Sequence, residues 1–243
     1  MRLPGGAVVR EMKASPAARS WMAAGVRHEL LSRALPALRH EMASPVSVIR
    51  MSVLLLRRQL SASAEGKLDA AALGERVALI EEQATALAGG VRALRDWELA
   101  TRDDGITRSA LVAQCATLMR VAFELNGIGL TLGDGLAPVD GEACFASGGA
   151  LRYMVLGALG HLHDCVPDLV EIRIEAEGND ALRFVARRGV TEPVEPMVGA
   201  HRAPRALAID AVALQALADG LGCSVAVEAE AVRLELGLAI EAA

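Results

Sequence analysis

The chain has 243 residues, 53% of them hydrophobic, with 25 Lys and Arg against 30 Asp and Glu for a net charge of −5. That length is one or two domains with ample material for a core. The acidic balance and an aromatic content of 2% exclude non-specific binding of phosphate backbones and recognition of bases by stacking.

Residues 1–16 contain Pro4, Gly5, Gly6 and Pro16 and read as a loose tail. Arg10, Glu11 and Lys13 stand where a signal peptide needs an apolar run. No stretch approaches ~18 uncharged apolar residues, so no membrane span is expected. Cys115, Cys144, Cys165 and Cys223 are far apart and form no Cys-x-x-Cys pair, the pattern of buried free thiols in a reducing cytoplasm. A cytoplasmic protein that takes its signal from another protein is the expectation.

From Ser20 to Leu60 the pattern is helical. Leu31, Leu35, Leu38, Met42, Ile49, Leu56 and Leu60 fall on one seam, with Pro45 and Ser52 as its weak positions. Residues 61–67 are a turn. A second helix repeats Leu73, Val77, Ile80, Ala84, Leu87, Val91 and Leu94 at alternating spacings of four and three. Gly89 and Gly90 cost it ~1 kcal/mol each relative to alanine. One hairpin cannot bury both seams alone, so pairing of two hairpins into a four-helix bundle, a homodimer, is expected. The alternative is that the remainder of the chain folds back over the seam.

The remainder alternates element types. Helices are predicted at Ser109–Leu125, Gly149–Cys165 and Ala206–Asp219. Strands are predicted at Ile128–Leu132, Glu142–Ala146, Leu169–Ala176, Ala181–Arg187, Cys223–Glu228 and Ala231–Leu238. Gly178-Asn179-Asp180 is a hairpin signal, and residues 189–204, with Pro193, Pro196 and Pro204, are loop. The fold class is α+β: residues 17–103 form an antiparallel helical hairpin, and residues 104–243 a mixed sheet with helices on one face.

Within the first helix, Arg39-His40-Glu41-Met42-Ala43-Ser44-Pro45-Val46-Ser47-Val48-Ile49 sets a histidine, an acid beside it and a proline five residues on. With Leu38 and Met42 on the seam, position 40 is farthest from it and exposed. The imidazole, with its ordinary pKa of ~6.5, is mostly neutral and nucleophilic at cytosolic pH. Pro45 inside a helix removes a hydrogen bond to the Glu41 carbonyl at a cost of ~3 kcal/mol. An isolated histidine here would be an ordinary surface residue, but this string resembles the H-box of two-component histidine kinases. The resemblance implies that His40 is the phospho-acceptor and that Glu41 orients or deprotonates it. Ser44 stands where that family uses Thr or Asn to orient water for phosphatase activity. His28-Glu29 repeats the pair with Arg33 in the proline's place and is a decoy.

The second half resembles the ATP-binding domain of the same kinases. Leu151–Pro167 has the rhythm of its N-box helix, but Gly157 and His161 occupy the two positions where the family holds magnesium and phosphates with asparagine. Glycine offers no ligand, and hard magnesium prefers oxygen to imidazole. Arg187, before Arg188-Gly189, replaces the aspartate that accepts from the adenine amino group, an obligate donor for an acceptor. Pro204-Arg205-Ala206-Leu207-Ala208 lacks the glycines of the phosphate loop. The His161, His163, Asp164, Cys165 cluster does not make a metal site, because 161 and 163 point to different faces of a helix.

The chain is thus similar to histidine phosphotransferases of the sporulation and ChpT type, a helical-hairpin dimer followed by a degenerate ATPase-like α/β sandwich. That resemblance implies relay of a phosphoryl group between receiver aspartates through His40, with no ATP, cofactor or metal of its own. The partners implied are response-regulator receiver domains or a hybrid histidine kinase, docking on Arg39, Ala43, Ser44, Val46 and Ser47. A pseudokinase adaptor and a receiver phosphatase using Glu41 and Ser44 are the alternatives.

Overall fold

The computed structural model describes residues 15–62, 70–98, 105–124, 126–189 and 207–240. The tail as far as residue 14, the turn beyond residue 62, and the proline-rich loop with the Pro204–Ala206 stretch lie outside the described residues.

Two long helices open the chain, α1 (Pro16–Ala62) and α2 (Ala70–Glu98), packed as a hairpin. The backbone of α1 stays helical through Pro45 and through Pro36, a second interior proline that the sequence reading did not weigh. The α1 seam agrees with the sequence reading at Pro45 and Ser52, which lie on it and are buried, and departs from it at Leu35 and Leu60, which are exposed in the single chain. Positions 42, 45, 49, 52 and 56 alternate spacings of three and four and so keep one face turned toward α2. Gly90 on α2 lets the helices approach there, since a Cβ built on it would lie 3.4 Å from Met42 Cγ.

The rest of the chain is α+β with a mixed sheet. It runs β1 (Ile106–Thr107), α3 (Arg108–Glu124), β2 (Gly129–Leu132), a 3-10 turn (Asp134–Leu136), β3 (Cys144–Phe145) and α4 (Gly148–Cys165). Then come β4 (Leu169–Glu177), β5 (Ala181–Arg188), α5 (Ala211–Leu221), β6 (Val225–Val227), β7 (Ala231–Glu235) and β8 (Ala239–Ile240). The large sheet has the order β2-β4-β5-β7-β6, with β2 parallel to β4 and the other neighbours antiparallel. Strands β1, β3 and β8 make a small separate antiparallel sheet. The two-residue strands β1 and β8 are too short for periodicity to reveal.

Alternation sorts the large sheet into two faces. Ile172, Ile174, Leu182, Phe184, Val232 and Leu234 are fully buried under the helices. The opposite face carries ion pairs such as Arg187–Glu171, Arg183–Glu228 and Arg233–Glu177. Helix α4 is buried without interruption from Tyr153 to Leu162, as befits a helix enclosed on all sides. Helix α5 begins at Ala211 rather than Ala206, because Asp210 takes the N-cap and accepts from the Ala213 N–H at 2.8 Å.

The fold-back is partial. The N-terminal part of α1 packs on the α+β part, through Ala23, Leu30 and Ala34, which are almost fully buried. The remainder of the hairpin leaves apolar surface uncovered in the single chain: Val77 and Val91 of α2 are 47% and 53% exposed. A groove of about 440 Å³ runs along it, lined by Ile49, Ala84, Leu87, Ala88 and Val91.

Candidate functional site

The backbone of His40 and Glu41 lies within α1, and their side chains fall outside the described residues. Around them, Arg39, Ala43, Ser44, Val46 and Ser47 are all exposed. The Ser47 hydroxyl is turned back on its own helix, donating to the Ala43 carbonyl at 3.0 Å, whereas Pro45 points the other way, into the seam. Taking α-helical geometry at 100° per residue, position 40 stands roughly 160° from the middle of the buried face, beside Ser47 and Met51. The surface there is small and polar except for Val46 and Met51.

The positions matched to the kinase nucleotide site have other occupants. A Cβ built at Gly157 would lie 2.8 Å from Leu217 Cδ2 and 3.0 Å from Leu214 Cδ1, both on α5, with Leu30 of α1 at 4.0 Å. One turn on, a Cβ at Gly160 would meet Ile209 Cδ1 at 2.9 Å and Leu30 Cδ2 at 3.4 Å. His161 is buried with its Nδ1 at 2.8 Å from the Ile209 carbonyl. A carbonyl only accepts, so Nδ1 carries the proton and donates. The face of α4 that the resemblance would turn toward magnesium and phosphates is therefore closed by α5, by Ile209 and by Leu30. Arg187 lies on the open, charged face of the sheet, 67% exposed, its Nε donating to Glu171 at 2.6 Å. The arginine and its Thr131 neighbour hold the Glu171 carboxyl below its usual range.

His163 and Asp164 belong to a polar network rather than to a metal site. Among the described residues, no three His, Cys, Asp or Glu side chains converge as metal ligands. Asp164 Oδ2 accepts from Arg33 at 2.9 Å and from the Ile209 N–H at 2.8 Å, and its Oδ1 accepts from His163 Nδ1 at 2.9 Å. Burial pushes the Asp164 carboxyl upward, but His163, the Ile209 amide and Arg33 outweigh it and hold it below the ordinary value. Arg33 also donates to Glu29 at 2.9 Å and to the Leu207 carbonyl at 3.1 Å. In the sequence His28-Glu29 is a decoy of the H-box, with Arg33 in the proline's place, yet Glu29 and Arg33 form an ion pair. Their spacing of four on a helix was a visible ion-pair signal, but the partner at 164 is reached only through the fold. The cysteines are free, Cys115 being fully buried and Cys165 exposed; burial raises the Cys115 thiol well above its ordinary value.

No family model matches the chain, and no curated protein sequence matches it. Among solved structures it is similar to a bacterial phosphotransferase determined at 1.7 Å, with 16% identity and a TM-score of 0.34 over 85% of this chain and 94% of that one. It is similar to full-length ShkA in complex with AMPPNP, with 17% identity and a TM-score of 0.37 over 87% of this chain and 47% of that one. A third is the Acinetobacter baumannii histidine kinase AdeS, with 11% identity and a TM-score of 0.33 over 78% of this chain and 97% of that one. Among the described residues no helix is long and apolar enough to cross a membrane.

Proposed function

We propose that the protein is a histidine phosphotransferase that relays a phosphoryl group between receiver aspartates through His40 without using ATP. The observation that carries this reading is the closed face of α4: a Cβ at Gly157 would crowd the Leu217 and Leu214 methyls at 2.8 and 3.0 Å, in the register where the resemblance puts an asparagine. It stands beside a helix that carries the His40-Glu41-x-x-x-Pro45 string with its flanking residues in solvent. In this reading a phospho-acceptor beside a closed α4 face receives phosphate ready-made.

In this reading a receiver's aspartyl phosphate docks at the exposed side of α1. An imidazole nitrogen of His40 attacks phosphorus in line, forming the N–P bond as the acyl-phosphate P–O bond breaks and the aspartate leaves as carboxylate. The ring proton passes to Glu41 or to water, and a second receiver's carboxylate reverses the step. The receiver supplies the magnesium and acidic pocket that the reaction requires. Arg39, Ala43, Ser44, Val46 and Ser47 form the docking surface. The uncovered hairpin groove and the exposed Val77 and Val91 favour a second copy of the chain completing a four-helix bundle. Residues 17–103 are the dimerising, phosphate-carrying part in this account, and residues 104–243 a docking scaffold.

The test uses a receiver domain charged with acetyl phosphate, and follows its aspartyl phosphate and the protein's phosphohistidine. The wild type is expected to take up the label, His40→Ala to take up none, and Glu41→Gln to react more slowly. A pseudokinase adaptor would bind the receiver equally well with and without His40. A receiver phosphatase would keep discharging the receiver in His40→Ala and lose that activity in Glu41→Gln.

A further inference from the structure

We propose that Arg33 is a positioning residue for the transfer. It locks α1 in one register on the α4–α5 side of the α+β part, so that the helix bearing His40 and that scaffold meet a receiver as one rigid surface. The role rests on the relay reading above.

A single guanidinium, 14% exposed, serves acceptors from three places: Glu29 on its own helix, Asp164 at the end of α4, and the Leu207 carbonyl ahead of α5. Asp164, 9% exposed, is held in turn by the Ile209 amide and by His163. The His163 ring meets the ring of Phe123 on α3 edge-on at 5.6 Å. The network thus ties α1, α3, α4 and the lead-in to α5 at one point. The fork of an arginine reaches all three acceptors at once, which the point charge of a lysine cannot do.

The apolar part of this interface is close-packed. Leu30 sits against Gly160, and a Cβ at Gly220 would overlap Ala23. Arg33 adds directional contacts to this steric fit: hydrophobic burial is non-directional, whereas a buried charge with defined acceptors is left unpaired by any shift. Position 40 follows position 33 by seven residues, which in an α-helix is ~20° short of two full turns and about 10 Å along the axis. A rotation or slip of α1 at Arg33 therefore carries position 40 with it, relative to the scaffold. The decoy His28-Glu29 motif acquires a purpose here: where the second copy has Pro45, the first has the clamp.

The experiment compares full-length wild type with Arg33→Met, Arg33→Lys and Glu29→Gln. Phosphoramidate, a small histidine phosphodonor, loads His40 without docking. A receiver with which the wild type exchanges phosphate reports docking, and amide hydrogen exchange over 16–35 and 211–221 reports the clamp. For Arg33→Met we expect phosphoramidate loading within about twofold of wild type. We also expect the KM for the receiver to rise about tenfold or more with kcat nearly unchanged, and faster exchange in both segments. Arg33→Lys should recover part of the KM, and Glu29→Gln, which leaves Asp164 paired, should lose least. Should Arg33→Met not fold, the graded order of the other two carries the test. The proposal is overturned if KM and exchange stay at wild-type values, or if loading by phosphoramidate falls in step with KM, as general unfolding would produce. A wild type that exchanges with no receiver sinks the relay reading and the positioning role together, while hydrogen exchange still shows whether Arg33 clamps the helix.

Discussion

Placing an asparagine at position 157 is the most direct probe of the closed α4 face. The built Cβ is 2.8 Å from Leu217 Cδ2 and 3.0 Å from Leu214 Cδ1. Both contacts are terminal methyls, but both leucines are fully buried and can move only into packed neighbours. Overpacking of this kind costs about 1–3 kcal/mol. The carboxamide then sits among leucine methyls without water, which adds about 1–3 kcal/mol for unmet hydrogen bonds. The gain in helix propensity over glycine is only a few tenths of a kcal/mol. Gly157→Asn should therefore lose about 4 kcal/mol, which for a chain of this size lowers Tm by roughly 8–16 °C. Differential scanning calorimetry measures the loss, and titration with magnesium-ATP on the same samples asks whether a site has been made. We expect the destabilisation without any nucleotide binding. A variant as stable as wild type that binds ATP at micromolar concentration would refute the claim that this face is closed.

Three further outcomes follow from the geometry. Asp164 has its folded pKa below the ordinary 3.8, so its stabilisation is complete above about pH 4 and disappears as pH falls through the lower folded value. Urea unfolding should show a gap between wild type and Asp164→Asn that is constant from about pH 5 to 8 and narrows below about pH 4; a gap independent of pH in acid contradicts it. At Gly89 an added Cβ meets nothing within 4 Å, so Gly89→Ala should raise the stability of α2 by ~1 kcal/mol in urea unfolding. A loss of stability there would mean that the glycine is needed for close contact. Leu87→Glu puts a charge into the hairpin groove and should halve the mass seen by sedimentation, whereas a chain that is monomeric in both forms contradicts the four-helix bundle.

The sequence made some of this legible because local signals agreed with the fold. The Gly178-Asn179-Asp180 turn marks the β4–β5 hairpin, and the long apolar run at 151–162 is the enclosed helix α4. Leu35 and Leu60 belong to the seam by periodicity, yet both are exposed in the single chain. The start of α5 was set too early because apolar content outweighed the Asp210 cap. Arg187 takes the place of the adenine-contacting aspartate in the resemblance, and strand alternation turns it to the charged side of the sheet. Arg33 was dismissed because the residue that gives it meaning, Asp164, stands 131 positions away. At the candidate site, the exposure around residue 40 follows from helical phase. The closing of α4 by Leu30, Ile209, Leu214 and Leu217 is a tertiary fact that no local pattern carries.

In the proposed relay, phosphate reaches His40 from a receiver and not from ATP. The measurement is label on His40 after incubation with γ-labelled magnesium-ATP in one arm and with a label-charged receiver in the other, with His40→Ala as the blank. We predict label from the receiver alone, absent in His40→Ala. Label arriving from ATP alone, with no other kinase present, would contradict the account.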